Sequence, residues 1–369
     1  MTLAVCWSDQ FAVHDSGRAG LYLPVGGLIE DDIHVDSTAR ITRTRNLLRT
    51  SGVDEVANIL EPRKARVEEV LRVHSEEHVQ RMQEVSEAGG GDAGGGYTPM
   101  DAHSYELALL SAGSALTALE AVFGGERTAH ALLRRSGHHA WRESGYGFCI
   151  FNNCAIVARA ALAEHGLERV AVVDIDAHHG NGTEAIFYDD PAVLTVSLHQ
   201  DRSFPVETGG VERVGEKEAE GTNVNVNLPA GAGDPAYLDA FDRVVVPVLL
   251  EYRPQLVVVA CGVDASLFDP MARLGVTATG FAGMAERLLG VANEVADGRL
   301  VSVQEGGYSP VYSPLCWLAF IETIGGLAVH ADPFEDFIAG QPTCRELAPW
   351  HVEANEVTRK HLASYWKSL

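Results

Sequence analysis

The segment Val173-Asp174-Ile175-Asp176-Ala177-His178-His179-Gly180-Asn181-Gly182-Thr183 concentrates groups that bind metals and move protons. It follows the apolar run Val170 to Val173, whose β-branched residues read as a buried strand. In extended geometry Asp174, Asp176 and His178 alternate and so share one face. Two carboxylates and an imidazole on one side of a strand tip make half of a metal site. The plainer reading is a polar turn rich in Asn and Gly after a core strand. Against it stands the cost of burying several such groups without partners.

Other reactive residues also follow apolar runs. His138-His139 come after Ala129 to Leu133. Ser197 and His199 end the run Ala192 to Leu198. Asp264 follows Leu256 to Ala260, and Gly306-Gly307-Tyr308 follow Leu300 to Val303. Helical patterns lie between them. One runs from Asn152 to His165 and stops at Gly166. A second opens with Asp234 as N-cap and Pro235 at the first helical position. It carries Leu238, Phe241, Val245 and Leu249 at helical spacing and ends before Pro254. A third is capped by Thr279 and ends at Gly298.

The first half is read more coarsely. Leu3 to Trp7 is a strand and residues 16–36 a long loop. Ala39 to Leu48 and Val67 to Val85 are helices. Residues 88–101, with six Gly among the nine positions Gly89 to Tyr97, form a functional surface loop. Tyr105 to Phe123 is a helix rich in Ala and Leu. The alternation predicts an α/β chain, one domain over residues 1–369, with a single open parallel sheet and helices on both faces.

In such a sheet the carboxyl ends of the strands share one edge, and ligands bind there. Five segments distant in sequence therefore converge. Asp176, His178 and Asp264 would supply three metal ligands and leave a position open for water or substrate. On its own, Asp264 reads equally as a helix cap. His138 and His139 alone would be turn or core histidines. Beside a metal they are candidates for general base and electrostatic partner, with Asp174 and Asn181 available to orient them. Tyr308, after two glycines, can aim a phenol at a developing oxyanion, or be an ordinary amphipathic tyrosine.

Composition narrows the partners. Of 369 residues, 46% are hydrophobic, and 28 basic against 51 acidic residues give a net charge of −23. No basic patch is visible, which argues against nucleic acid. An acidic surface promotes solubility and attracts cations weakly. The N-terminus lacks a basic region and reaches Asp9 quickly, so no signal peptide is expected. No apolar run approaches the ~20 residues of a membrane span, so no membrane partner is expected. Cys6, Cys149, Cys154, Cys261, Cys316 and Cys344 show no paired spacing and read as reduced thiols of a cytoplasmic protein.

These motifs carry a resemblance. Gly137-His138-His139-Ala140, Gly147-Phe148-Cys149-Ile150-Phe151-Asn152-Asn153, Asp174 to Thr183, and Glu305-Gly306-Gly307-Tyr308 resemble the histone deacetylase superfamily. Asn181, where class I enzymes usually have Asp, is similar to class II, and the bacterial histone deacetylase-like amidohydrolases are most similar. The likeness runs from about Leu3 to about residue 340. It implies the arginase/deacetylase fold, an eight-stranded parallel sheet flanked by helices. It implies one catalytic zinc on Asp176, His178 and Asp264, with His139 as general base and acid paired with Asn181. His138, paired with Asp174, would be the electrostatic partner, and Tyr308 would polarise the acyl carbonyl. Phe148 and Phe204 would wall an acyl-lysine tunnel, Gly147 would touch the substrate chain, and Asp92 would grip substrate backbone at the rim. A structural potassium is implied near Asp174, Asp176, His178, Ser197 and Leu198.

The implied reaction is hydrolysis of an acetyl-lysine-like amide, in an acylated lysine peptide or a small acylated amine, by a bacterial enzyme that can be a homo-oligomer. Two positions depart from the pattern or bear on specificity. Arg135-Ser136 stand where many relatives have Pro-Pro, which bears on a product-release cavity. The gatekeeper position falls on Met271, where polyamine-selective relatives have Glu. Three rivals remain: an acetylpolyamine amidohydrolase, a two-manganese ureohydrolase, and a catalytically silent acyl-lysine binder. The ureohydrolase needs further acidic ligands, and Gly180 and the Asp264–Asp269 spacing do not fit it.

Overall fold

Eight runs of mostly Val, Leu and Ala build one sheet in a computed structural model that describes residues 2–14 and 16–369. The strands are β1 (Leu3–Cys6), β2 (Asn58–Leu60), β3 (Thr128–Ala131), β4 (Val170–Asp174), β5 (Val193–Gln200), β6 (Asn223–Leu228), β7 (Val257–Cys261) and β8 (Leu300–Gln304). Their order is β6-β5-β4-β7-β8-β3-β1-β2, and every pairing is parallel. β1, β3, β4, β7 and β8 are buried at every residue. Helices on both faces demand this, and the strands are accordingly continuous apolar runs.

The register brings the reactive ends level. Asp174 pairs with Ser197 on one side and Ala260 on the other. Cys261 pairs with Gln304, and Val303 with Ala131. The chain leaves β4 for β5 on one flank, while β7 lies on the other. That switch opens a crevice at the carboxyl edge.

Several boundaries differ from the sequence reading. The helix expected over Val67 to Val85 is two, Val67–Val70 and Glu76–Glu87. Ser75 breaks it, because its hydroxyl accepts from the His78 amide at 3.2 Å and so caps a new helix. Thr277, not Thr279, caps Ala278–Val295. Asp234 is not the N-cap of Asp234–Ala240; Gly233 is. The Asp234 carboxylate instead accepts from Thr277 N and Oγ1 at 2.7 and 2.6 Å, joining two helix starts. Residues 16–36 contain the short pair Arg18–Ala19 with Asp32–Ile33, and the Gly-rich loop contains Gly90–Asp92 paired with Pro99–Asp101.

One helix overturns an expectation. Ser104–Phe123 is long and apolar enough to cross a membrane by length and composition. Here it is a core helix, lying against β1, β3 and β8 with 72% of its apolar window buried. All six cysteines are buried and free.

Candidate active site

β4 ends at Asp174, and the chain after it turns Asp176 and His178 into the crevice; Asp264 arrives from the end of β7. All are buried. One ligand atom from each of Asp176, His178 and Asp264 lies within 4.8 Å of the others. His178 points Nδ1 at both carboxylates, 3.1 Å from Asp176 Oδ1 and 2.9 Å from Asp264 Oδ2. Asp264 Oδ2 is buried and faces this imidazole as its one countercharge among the described residues. Its Oδ1 accepts from Ala177 N at 2.7 Å, which fixes the carboxylate plane. Burial opposes a charge on His178, yet Asp264 and Asp176 push its pKa well up. The cluster draws positive charge, and its oxygen and nitrogen donors fit a divalent cation.

Gly306 shows how tightly this point is framed. Its amide donates to Asp176 Oδ2 at 2.8 Å. A Cβ there would stand 2.3 Å from Asp264 Oδ2 and 2.6 Å from Asp176 Oδ2. Only glycine lets the chain after β8 come this close.

The two adjacent histidines differ in their partners. His138 Nδ1 donates to Asp174 Oδ2 at 2.9 Å. Burial lowers its pKa, but Asp176 and Asp174 outweigh burial and carry it up to about 10. His139 Nδ1 donates to Asn181 Oδ1 at 2.7 Å. Burial, His138 and His178 drive its pKa well down. His139 is therefore neutral with its proton on Nδ1, so Nε2 is free to accept another. Their surroundings thus hold the two neighbouring histidines in opposite charge states.

A cavity of about 600 Å³ leads to these groups. Its floor is buried His139, His178, Gly147, Phe148 and Tyr308; its mouth is the more exposed Leu21, Tyr22, Tyr97, Val206, Pro270, Met271 and Arg273. Between them, Tyr146 stacks on Phe204 at 5.2 Å with planes 6° apart, and His139 meets Phe204 edge-on at 5.1 Å. Gly147 has φ +52, and a Cβ on it would reach within 2.5 Å of the His139 ring. Tyr308 is 7% exposed, and burial with Asp264 and Asp176 keeps its phenol firmly protonated. Its amide donates to Asp269 Oδ2 at 2.6 Å.

Residues 34–324 match the histone deacetylase domain. The chain is 44% identical over 330 residues to a histone deacetylase-like amidohydrolase of Pseudomonas aeruginosa, covering 88% of this chain and 87% of that one. It belongs to the histone deacetylase family. It is 42% identical over 279 residues to a probable deacetylase of Archaeoglobus fulgidus, covering 75% of this chain and 77% of that one. The solved HDA15 HD domain superposes with a TM-score of 0.86 at 27% identity, covering 100% of this chain and 96% of that one. The fold is the arginase/deacetylase fold, and the chain is a hydrolase of the deacetylase and amidohydrolase class.

The deacetylase site brings together most of the residues singled out in the sequence. His138, His139, Asp174, Asn181, Asp176, His178, Asp264 and Tyr308 surround one point, and Gly147, Phe148, Phe204 and Met271 line the cavity. Ser197 and Leu198 lie beside Asp174 in the sheet, with Ser197 Oγ accepting from Gly180 N at 3.4 Å. Asp92 does not line the cavity. Its oxygens accept from Gly96 N and Thr98 N at 2.9 and 2.8 Å, so it holds its own loop. Arg135 is buried and donates to the Pro99 carbonyl, and Ser136 Oγ accepts from Arg40 at 3.3 Å; both are part of the scaffold behind the site.

Sequence reasoning missed four supports. Arg40 donates to the carbonyls of Glu305 and Gly307 at 2.9 and 3.4 Å and places its guanidinium 5.3 Å from the Tyr308 ring centre. Glu305 accepts from Gly137 N and His138 N at 2.6 and 3.2 Å. Asp269 holds Tyr308, and Tyr146 backs Phe204. Glu305 opens one of the quoted motifs and Asp269 follows Asp264 in sequence, so both were readable as candidates. Arg40 is 265 residues from Glu305, and nothing local signals it.

Proposed function

We propose that this chain is a zinc-dependent amidohydrolase. It removes acetyl or another short acyl group from acyl-lysine-like amides and yields the carboxylate and the free amine. The observation that carries the reading is the funnel whose floor joins a three-ligand cluster to a neutral His139 and a protonated Tyr308.

Asp176, His178 and Asp264 would hold the metal, and Fe(II) suits this oxygen-rich set as well as zinc. When bound, such a metal acidifies water and polarises an acyl carbonyl. His139 Nε2 takes the proton from the attacking water, with Asn181 fixing the tautomer. Charged His138, held by Asp174, steadies the negative charge that develops. The Tyr308 hydroxyl donates to the oxygen of the tetrahedral intermediate. The acyl C–N bond then breaks, and His139 returns its proton to the leaving nitrogen. Phe148, Phe204 and Gly147 would sleeve the apolar chain that precedes the amide. Potassium near Asp174, Asp176, His178, Ser197 and Leu198 belongs to the same proposal, as do a cytoplasmic location and assembly as a homo-oligomer.

An acetylpolyamine substrate is the second reading, favoured by the net charge of −23 and opposed by Met271 at the mouth. The deciding experiment is turnover of a fluorogenic acetyl-lysine peptide and of an acetylpolyamine by wild type and His139→Ala, with metal content measured in each. Wild type should cleave the peptide. His139→Ala should lose about 10²–10⁴ in rate while keeping its metal. A variant at near wild-type rate would place the base elsewhere.

A further inference from the structure

The mouth of the cavity carries one formal charge, Arg273, and no carboxylate. That is unusual in a chain with 51 acidic and 28 basic residues, where most arginines sit against an Asp or Glu. Arg273 has no carboxylate within ion-pair distance among the described residues. It is nonetheless fixed. Its amide donates to Gln200 Oε1 at 2.7 Å, and its carbonyl accepts from Gly231 N at 2.7 Å. Its Nη1 donates to the carbonyls of Pro270 and Ala272 at 3.2 and 2.7 Å. Those two bonds occupy one end of the guanidinium. Nε and Nη2 remain, and together they form the edge that takes a carboxylate with two parallel hydrogen bonds.

We propose that Arg273 is a specificity residue that selects acyl-lysine peptides carrying a carboxylate next to the modified lysine. The inference rests on the peptide reading above. A side chain held at two carbonyls loses little freedom on binding, so the fork is ready before substrate arrives. The same cation repels the ammonium groups of an acylpolyamine or of a flanking lysine. The acidic groups nearby, Asp201, Glu207 and Glu212, line a separate groove that shares only Val206 with the cavity.

The test is steady-state kinetics of metal-loaded enzyme on two acetyl-lysine peptides that differ only in Glu or Lys beside the acetyl-lysine. Wild type should favour the Glu peptide about five- to tenfold in kcat/KM, mostly through KM, because the contact lies far from the reacting atoms. Raising the salt to about 1 M, where screening acts within ~3 Å, should shrink the ratio. Arg273→Gln should bring it towards one, and Arg273→Glu should invert it. Arg273→Lys keeps the charge without the fork and should retain part of the preference. Equal rates on both peptides, a preference for Lys, or an unchanged ratio in Arg273→Gln would overturn this inference and leave the deacetylase reading standing. No turnover of either peptide by wild type would remove that reading and this one with it.

Discussion

Two buried charge clusters lie back to back in this molecule, and they are built on opposite logic. At the ends of β4 and β7, Asp174, Asp176 and Asp264 face His138 and His178. Behind the loop after β8, Arg40, Arg134 and Arg135 surround Asp36, with arginine-to-carboxylate distances of 2.9, 3.3 and 3.8 Å. Exposure does not separate them, since every member is almost fully buried. The acidic cluster turns one ligand atom from each of Asp176, His178 and Asp264 towards a single point. The basic cluster directs its donors at main-chain carbonyls: His14 and Asp36 from Arg134, Pro99 from Arg135, and Glu305 and Gly307 from Arg40. Carboxylates and an imidazole whose ligand atoms converge on one point are arranged for an ion. Groups whose charges are spread over backbone dipoles are arranged to hold chain in place. Arg40 links the two, because the loop it fastens is the one that carries Gly306 and Tyr308.

The largest contrast should come from breaking each cluster at its carboxylate. Asp264→Ala should empty the acidic cluster of metal and take activity to background, while the sheet keeps its stability in the metal-free state. Metal analysis beside turnover reads this directly, and a variant with full metal and normal rate would show that the cluster is structural. Stripping metal from wild type with a chelator should lower its thermal midpoint, since a ligand that binds only the native state stabilises it. The same chelator should leave Asp264→Ala almost unmoved.

Asp36→Asn attacks the other side. It strands three guanidiniums around a neutral amide, and removing one partner of a buried pair costs about 3–5 kcal/mol. The loss should appear in urea unfolding, with metal content retained in the folded protein at low temperature. The pH dependence has a definite sign. Burial raises the Asp36 pKa, but Arg134, Arg40 and Arg135 overcome burial and hold the carboxyl well below its usual range. A depressed folded value means the stabilisation is complete above the unfolded value of about 3.9 and fades as the pH falls below it. The stability gap between wild type and Asp36→Asn should therefore be constant from pH 8 to 5 and close only below about 4. A gap that closes near pH 6 would mean that another group supplies the countercharge.

The contrast also explains what could be read in advance. The acidic cluster is mostly local: Asp174, Asp176 and His178 sit within five residues after a strand, and the parallel sheet places Asp264 beside them. Period and strand ends were enough for that, and the family likeness supplied the roles. The basic cluster joins the i,i+4 pair Asp36 and Arg40 to Arg134 and Arg135, and no spacing rule links the two halves. Charged side chains that face inward look like surface charges in a sequence. β6 is missing from the sequence reading altogether. Asn223-Val-Asn-Val-Asn-Leu alternates cleanly, and in the fold two of its asparagines turn inward, Asn223 and Asn225 donating to Glu184 at 2.8 Å each. The family likeness implied a substrate grip at Asp92, and in the fold that carboxylate accepts from the Gly96 and Thr98 amides of its own loop.

Tyr308 stands where the two clusters meet, and it gives the smallest and sharpest prediction. Its ring lies against Phe148 at 5.8 Å and under the Arg40 guanidinium, so the scaffold grips the ring. Its hydroxyl is the part that could act on substrate. Tyr308→Phe keeps the ring, the Asp269 contact to its amide and the fold, and removes one donor. If that donor meets the oxygen only as it becomes negative, turnover should fall ~10²–10³-fold, about 3–4 kcal/mol, with little change in substrate affinity. If Tyr308 is merely the keystone of the scaffold, Tyr308→Phe should turn over like wild type, while a smaller residue such as Ala should lower the melting temperature. Rates, peptide binding and thermal unfolding of the two variants decide between these. Equal turnover by Tyr308→Phe and wild type would move the residue out of the chemistry and into the arginine cluster's architecture.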